Sequence, residues 1–365
     1  MPTPNASRLR VCVVGAGPSG LACARQMLDC GFDVVLYERS AHVGGLWEYH
    51  EEDVDGMASV MRSTISNTSK EMSAFSDFPP PKDYPNYAHH SKMLSYFRSY
   101  ADHFGVTPLV RTRHDVVQAA PATDYEETGR WEVLVRDLDG NSERRERFDA
   151  VCVCVGHHVY PNVPSFKDQE KFRGRILHTH SLKNADKFRD RRVVVVGIGN
   201  SPVDAVVDVS KVASEVYLST RRGAWLSRRV GPNGMPFDVF QRTRLRNYIA
   251  QVLPRSLSDA YFEGIANAFF SHEAYGLKPK HRYSSQHATI NDDLPNLILS
   301  GKVLVKKNIA AFVEDGVLFD GDDLRQLCGP ADAAGSATQE ECASARVREC
   351  GRRAEARALV PQARH

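Results

Sequence analysis

Apolar residues alternate with glycine-rich punctuation in the same way at two places along the chain. Residues 9–14 (LRVCVV) form a short, nearly continuous apolar run, the pattern of a strand buried on both faces of a parallel sheet. A glycine turn over 15–20 follows. Leu21, Ala24 and Leu28 then fall on one face at helical spacing, and Gly31 is placed to end that helix. A second apolar run, 33–38 (DVVLYE), completes a β-α-β unit. The pattern returns from Arg192: a strand over 193–196, a glycine turn over 197–202, a helix over 203–212 and a strand over 215–219. Between the repeats, helical spacing of Met93, Leu94, Phe97, Tyr100 and Phe104 predicts a helix over 91–104. The runs 131–135 and 144–148 around Asp139-Gly140 predict a hairpin, and 151–155 predicts a buried strand. Two such units in tandem imply an α/β protein with two Rossmann-like dinucleotide-binding domains.

The first turn reads Gly15-Ala16-Gly17-Pro18-Ser19-Gly20. In that spacing Gly15 permits the tight turn, Gly17 lets a pyrophosphate approach the backbone, and Gly20 lets helix and strand pack. The helix N-terminus then offers free N–H groups and the positive end of its dipole to the phosphates. Glu38, closing the next strand, is placed to accept hydrogen bonds from a ribose hydroxyl, so this is the expected FAD site. The second turn has Gly197 and Gly199, but Pro202 stands where the third glycine is expected. A proline is tolerated in a first helical turn, although here it is expected to crowd the helix against its strand. The following strand ends not on an acid but on Ser219-Thr220-Arg221-Arg222. Arginine binds a 2′-phosphate with charge-assisted hydrogen bonds where a carboxylate would repel it, so the second site is expected to take NADP.

Composition narrows the reading further. The net charge of +2 over 365 residues gives no electrostatic case for a nucleic-acid partner. No apolar run reaches the ~18 residues needed to cross a bilayer. The eight cysteines have no metal-like spacing, no metal is expected, and buried reduced thiols are the reading for Cys152 and Cys154. A flavin disulfide reductase would need a close-spaced redox pair, and Cys23 and Cys30 are set too far apart.

Further motifs carry a family resemblance. Phe172-Arg-Gly-Arg-Ile-Leu-His178 with Leu182 is similar to the identifying motif of the vertebrate flavin-containing monooxygenases, with Leu182 in place of an aromatic. Gly44-Gly-Leu-Trp47, Ser66-Asn-Thr-Ser-Lys-Glu-Met72 and Gly156-His-His-Val-Tyr-Pro161 also resemble that family. Ser219–Trp225, Leu277–Arg282 and Asn291–Pro295 most resemble its fifth mammalian form. The resemblance implies an NADPH- and oxygen-dependent monooxygenase working through a C4a-hydroperoxyflavin. It implies small soft nitrogen or sulfur nucleophiles as substrates with O2, or ketones by Baeyer-Villiger insertion. It also implies that Gly15 to Ser19, Glu38, Leu46 and Trp47 hold FAD, and that Ser66 and Asn67 lie between flavin and nicotinamide. Asn67 is then the candidate for the oxygen chemistry, and Ser201, Pro202, Val203 and Asp204, with Gly197, Gly199, Asn200, Arg221 and Arg222, the NADP set. The expected domains are 1–170 for FAD, a connecting segment 171–190, and 191–320 for NADP.

The family resemblance stops near Asp320. The remaining 321–365 are expected to be a disordered, unrelated tail. Members of the family continue there with a strand returning to the FAD domain and an apolar anchor on the endoplasmic reticulum membrane, and neither follows here. The expectation is weak flavin retention and a cytosolic chain in place of a membrane-held one. The alternative reading is a catalytically inactive truncated isoform that keeps partial nucleotide binding, and association with further copies stays open.

Overall fold

The computed structural model describes residues 8–58 and 60–321, together with the backbone of 357–360. The chain divides into two compact units. One is made of 1–66 and 73–160, the other of 67–72 and 161–365.

The first unit is built on a parallel sheet of β1 (Arg10–Val14), β2 (Asp33–Tyr37), β3 (Val110–Arg111) and β7 (Ala150–Val153), in the order β3-β2-β1-β7. Arg10 pairs with Asp33 and Val14 with Tyr37, a register that aligns the ends of β1 and β2 beside the glycine turn. The helix Pro18–Asp29 buries Gly20, Leu21 and Ala24. The helix His90–His103 adds Met93, Tyr96, Phe97 and Tyr100 to the same core. Each large apolar side chain removed from water this way contributes roughly 1.5–3 kcal/mol, and the helices stay on the sheet for that reason more than for their intrinsic propensity. β7 differs from its sequence reading: among the described residues it is an edge strand, and Val153 is 71% exposed. An apolar run signals a strand but does not say whether a neighbour covers it.

A second, antiparallel sheet belongs to the first unit: β4 (His114–Pro121), β5 (Trp131–Asp137) and β6 (Ser142–Phe148). The predicted hairpin is the β5–β6 pair, and β4 is an addition to it. Glu146 fastens β6 to the parallel sheet. Its carboxylate accepts hydrogen bonds from the Tyr37 hydroxyl (2.6 Å), Arg10 Nη2 (2.6 Å) and Arg144 Nε (2.7 Å). Burial alone would raise this carboxyl, but the three donors hold it down at about 2.

Among the described residues Cys12, Cys23, Cys30, Cys152 and Cys154 are free thiols. Cys23 on the first helix is in hydrogen-bond contact with both Cys152 and Cys154, and burial pushes all three thiols up. Such thiols are poor nucleophiles.

The second unit repeats the plan. Its sheet contains β8 (Arg175–His178), β9 (Arg192–Val196), β10 (Glu215–Ser219), β13 (Val303–Lys306) and β16 (Arg357–Val360), in the order β13-β10-β9-β16-β8, all parallel. The short pair β11 (Leu226–Ser227) and β12 (Thr289–Ile290) and the hairpin β14 (Ile309–Val313) with β15 (Gly316–Phe319) complete it. The helix Asn200–Ser210 packs on β9 and β10 through Val203, Val206 and Val209. Helices Arg244–Val252 and Arg255–Phe269 lie in the long connection between β11 and β12. Most of the expected disordered tail lies outside the described residues. Within it, Arg357–Val360 is a strand between β8 and β9, so these four residues depart from that expectation. Ala-Leu-Val is apolar and partly β-branched, and a slot with a parallel neighbour on each side suits it.

Candidate functional site

The first turn runs from the end of β1 to the helix that follows. Gly15 has φ 99°, a left-handed conformation that a side chain resists. A Cβ on Gly20 would lie 1.8 Å from the Gly15 carbonyl oxygen, so nothing larger than glycine fits there without moving backbone. Gly17 is the N-cap, and no side chain caps this helix end. Pro18 occupies the first helical position, where its missing N–H is not needed, and the amides of Ser19 and Gly20 remain for an outside acceptor.

Glu38 stands just past β2. One carboxylate oxygen accepts the Ala16 N–H at 2.7 Å and the other the Ser40 N–H at 2.8 Å. Each oxygen has a further lone pair for a ribose hydroxyl. The Gly44 N–H donates to the Ala16 carbonyl at 3.1 Å, which brings the Gly44-Gly45-Leu46-Trp47 segment against the turn. Trp47 packs on Phe97 with ring centroids 6.0 Å apart, while Leu46 is exposed at 36%. The shape fits a dinucleotide: a turn with glycine at its first, third and sixth positions, free amides at a helix end, and a carboxylate at the neighbouring strand end.

The second turn follows β9. Gly197 has φ 108° and Gly199 is the N-cap, again without a side-chain cap. Pro202 is the third helical residue and is buried. The helix continues unbroken to Ser210, and the Val203 N–H reaches the Gly199 carbonyl at 3.2 Å. The expected crowding is therefore absorbed. Proline at this position deletes one of the N–H groups that a helix leaves without an internal partner. The amides of Asn200 and Ser201 remain.

Around this turn, Thr289 Oγ donates to the Ile198 carbonyl at 2.5 Å, and Asn200 Oδ1 accepts the Ile290 N–H at 2.9 Å. Asn291 Nδ2 donates to Asp204 Oδ1 at 3.1 Å. Burial raises the Asp204 carboxyl to about 6, against the attraction of Arg229 and the hydrogen bond from Asn291. At the end of β10, Ser219 is buried and its hydroxyl donates to the Lys307 carbonyl at 2.7 Å. Arg221 and Arg222 are exposed, and neither side chain has an ion-pair partner among the described residues. Two unengaged guanidiniums beside a glycine turn form a fitting place for a phosphate.

Ser66 ends the first of the two stretches that make up the first unit, and its N–H donates to the Ala88 carbonyl at 2.8 Å. Asn67 begins the short segment that groups with the second unit. Its side-chain oxygen accepts a hydrogen bond from Arg229 Nη2 at 2.6 Å. Sequence reasoning singled out Asn67 and passed over Arg229, whose only signal was a further arginine in a basic stretch.

A family model described as flavin-binding monooxygenase-like matches residues 8–326, most of the chain. The chain belongs to that family. Among curated relatives, flavin-containing monooxygenase 5 of Cavia porcellus is 45% identical over 316 residues, covering 86% of this chain and 59% of its own length. The Homo sapiens protein of the same name is 43% identical with the same coverage. Dimethylaniline monooxygenase [N-oxide-forming] 2 of Oryctolagus cuniculus is 40% identical, covering 85% and 58%. The chain thus spans a little under three fifths of the length of these relatives. Among solved structures, S-allyl-L-cysteine S-oxygenase from Allium sativum is 28% identical with a TM-score of 0.54, covering 59% of this chain and 52% of that one. A steroid monooxygenase bound to NADP has a TM-score of 0.63 over 97% of this chain and 71% of its own, at 18% identity. At that identity the likeness speaks for the two-domain fold. Among the described residues no helix is long and apolar enough to cross a membrane.

Proposed function

We propose that this member of the family binds FAD at the first turn and NADP at the second, and that it uses NADPH and O2 to oxygenate small molecules at a soft nitrogen or sulfur. The observation that carries the reading is the contrast between strand ends. Glu38 suits a ribose hydroxyl, whereas Arg221 and Arg222 suit a 2′-phosphate. Both stand beside glycine turns of the same backbone conformation. A bound flavin would supply the oxygen activation, as it does throughout this chemistry.

The residues of the chain bind and orient. Gly15 to Gly20 and Glu38 hold one dinucleotide, with Leu46 and Trp47 beside them. Gly197, Gly199, Asn200, Ser201, Pro202, Val203 and Asp204 hold the other. Asn67 presents an amide to the reacting oxygen. Support for the substrate class comes from relatives whose names carry N-oxide formation and S-oxygenation. Oxygen insertion beside a ketone is the finer alternative within the same chemistry, and it rests on the motif resemblance of Ser219–Trp225, Leu277–Arg282 and Asn291–Pro295.

The test is to express the chain, measure flavin per chain from its visible absorbance, and count oxygenated product per NADPH for a tertiary amine, a thioether and a ketone. Flavin-dependent product formation is the expected result. Binding of both nucleotides without product from any of the three would reduce the chain to a nucleotide-binding member of its family, and absence of bound flavin would reject the first site.

A further inference from the structure

We infer that Arg229 is a positioning residue for Asn67: it takes the amide oxygen, and thereby keeps the amide NH2 as the end available to the reaction. The inference deepens the proposed monooxygenase function and rests on it. The segment 67–72 groups with the second unit, and hydrogen bonds from Arg229 and to Asp238 tie it there. Asn67 Oδ1 accepts from Arg229 Nη2 at 2.6 Å, across 162 positions of chain. The Ser69 N–H, on a fully buried residue, donates to Asp238 Oδ2 at 2.7 Å.

Arg229 is itself held. Its backbone N–H donates to Asp292 Oδ1 at 2.9 Å, and its Nη1 lies 3.5 Å from Asp292 Oδ2, with its side chain 14% exposed. Asp292 therefore already compensates its charge, and a neutral partner suffices at the other end of the guanidinium.

The chemistry of the pair decides the amide's orientation. A guanidinium has five N–H donors and no acceptor, so only the carbonyl end of an Asn can face it. An amide not so held could turn over and offer its oxygen where a donor is needed. If the contact served docking alone, aspartate would serve better, because a carboxylate–guanidinium bond is stronger than an amide–guanidinium bond. Asparagine gives up that advantage and retains an N–H donor, which a carboxylate lacks. Donation from an amide stabilises a developing negative charge on oxygen, whereas a carboxylate there repels it.

Docking and donation can be separated by substitution. Asn67→Asp keeps an acceptor for Arg229 and loses the donor. Arg229→Met loses the anchor and leaves the amide intact, and Arg229→Lys restores one donor. Two readouts are taken on the full chain: the rate of tryptic cleavage after Lys70, followed by mass spectrometry, and product against hydrogen peroxide per NADPH. Arg229→Met is expected to speed cleavage after Lys70 about fivefold or more and to raise the peroxide share, with Arg229→Lys recovering part of both. Asn67→Asp is expected to leave cleavage unchanged or slower and still to raise the peroxide share.

Full coupling in Asn67→Asp overturns the inference, because the donor would then be dispensable. Unchanged cleavage in Arg229→Met overturns it too, because the segment would not be held by this residue. If the wild-type chain forms no product, the proposed function fails separately, and cleavage still decides the anchor. Equal acceleration in Asn67→Ala, Arg229→Met and the double variant supports it, and additive acceleration rejects it. Melting temperatures of all variants guard against reading global unfolding as local release.

Discussion

At the sixth position of the glycine turn the first unit has Gly20 and the second has Pro202. The first cannot accept a single methyl there, since a Cβ would meet the Gly15 oxygen at 1.8 Å, yet the second holds a whole ring. Both helices nevertheless begin at the fourth position of the turn, Pro18 in one and Asn200 in the other. Each helix also spends its proline differently. Pro18 deletes the N–H of the first helical residue and Pro202 that of the third. The phosphates of the two dinucleotides are thus offered different amides: Ser19 and Gly20 in one unit, Asn200 and Ser201 in the other. Similar glycine angles, 99° and 108°, conceal sites that differ in which donors remain.

That contrast makes the largest expected effect a steric one. Gly20→Ala forces backbone apart and should cost more than ~3 kcal/mol, together with loss of bound flavin. Pro202→Ala should change stability by less than about 1 kcal/mol, and it returns an N–H to the phosphate end of the helix. Denaturant unfolding of both variants, with flavin content, checks this. Similar losses at the two positions would erase the distinction between the turns.

The strand ends give the next effect in size. Arg221→Gln combined with Arg222→Gln removes charge-assisted bonds that contribute roughly 1.5–3 kcal/mol. NADPH should bind about ten- to a hundredfold more weakly, and NADH should scarcely change. Titration of both coenzymes by fluorescence measures it. Equal weakening of the two would mean that the arginines do not read the 2′-phosphate.

The turns were legible in the sequence because their requirement is local. Only glycine takes the φ of Gly15, and a buried strand before it and a helix after it appear as period changes within a few residues. Glu38, Arg221 and Arg222 were legible for the same reason, each lying just beyond the strand that follows its turn. What stayed hidden depends on long-range pairing. Arg229 reaches Asn67 across 162 positions, and Asn291 reaches Asp204 across 87, and no periodicity connects such residues. The strand Arg357–Val360 was hidden too, because three apolar residues in a polar stretch reveal themselves as a strand only when the slot between β8 and β9 is known. Pro202 was an intermediate case: its tolerance in a first helical turn was readable, but the room made for it was not.

Asp204 has no counterpart acid in the first helix, and it supplies a pH test of the second site alone. The groups facing its carboxyl are Arg229 and Asn291, which favour the charged form, and Asp208 and Asp293, which oppose it. Burial outweighs these and lifts the carboxyl from an ordinary 3.8 to about 6. Because the folded value is the higher one, protonated Asp204 contributes stability below pH ~4, and that contribution fades as pH rises through about 6. Asp204→Asn should therefore leave stability unchanged near pH 3.5 and raise it near pH 7.5. The gain should be on the order of 2 kcal/mol, since the net shift already includes the attraction of Arg229. A gain that is the same at both pH values would mean that titration of Asp204 is not its source.

The smallest effect concerns the middle residue of each turn. The Ala16 carbonyl is tied by a backbone donor, the Gly44 N–H at 3.1 Å, which no substitution but proline can remove. The equivalent Ile198 carbonyl is tied by a side chain, the hydroxyl of Thr289 at 2.5 Å, on a residue only 2% exposed. Thr289→Val keeps the shape and deletes the donor, leaving a carbonyl without that partner. The expected loss is about 1 kcal/mol, or roughly 2–4 °C in melting temperature for a unit of this size. Since the turn carries the phosphate-facing amides, NADPH affinity should also fall, by about threefold, while flavin content stays constant. Thr289→Ser retains the hydroxyl and loses a methyl, so it should keep NADPH affinity even if packing suffers. Parallel melting curves and NADPH titrations of the two variants distinguish the contributions. If Ser and Val variants lose affinity alike, the methyl packing of Thr289 and not its hydrogen bond shapes the second turn, and the two units are then held by more similar means than their hydrogen bonds suggest.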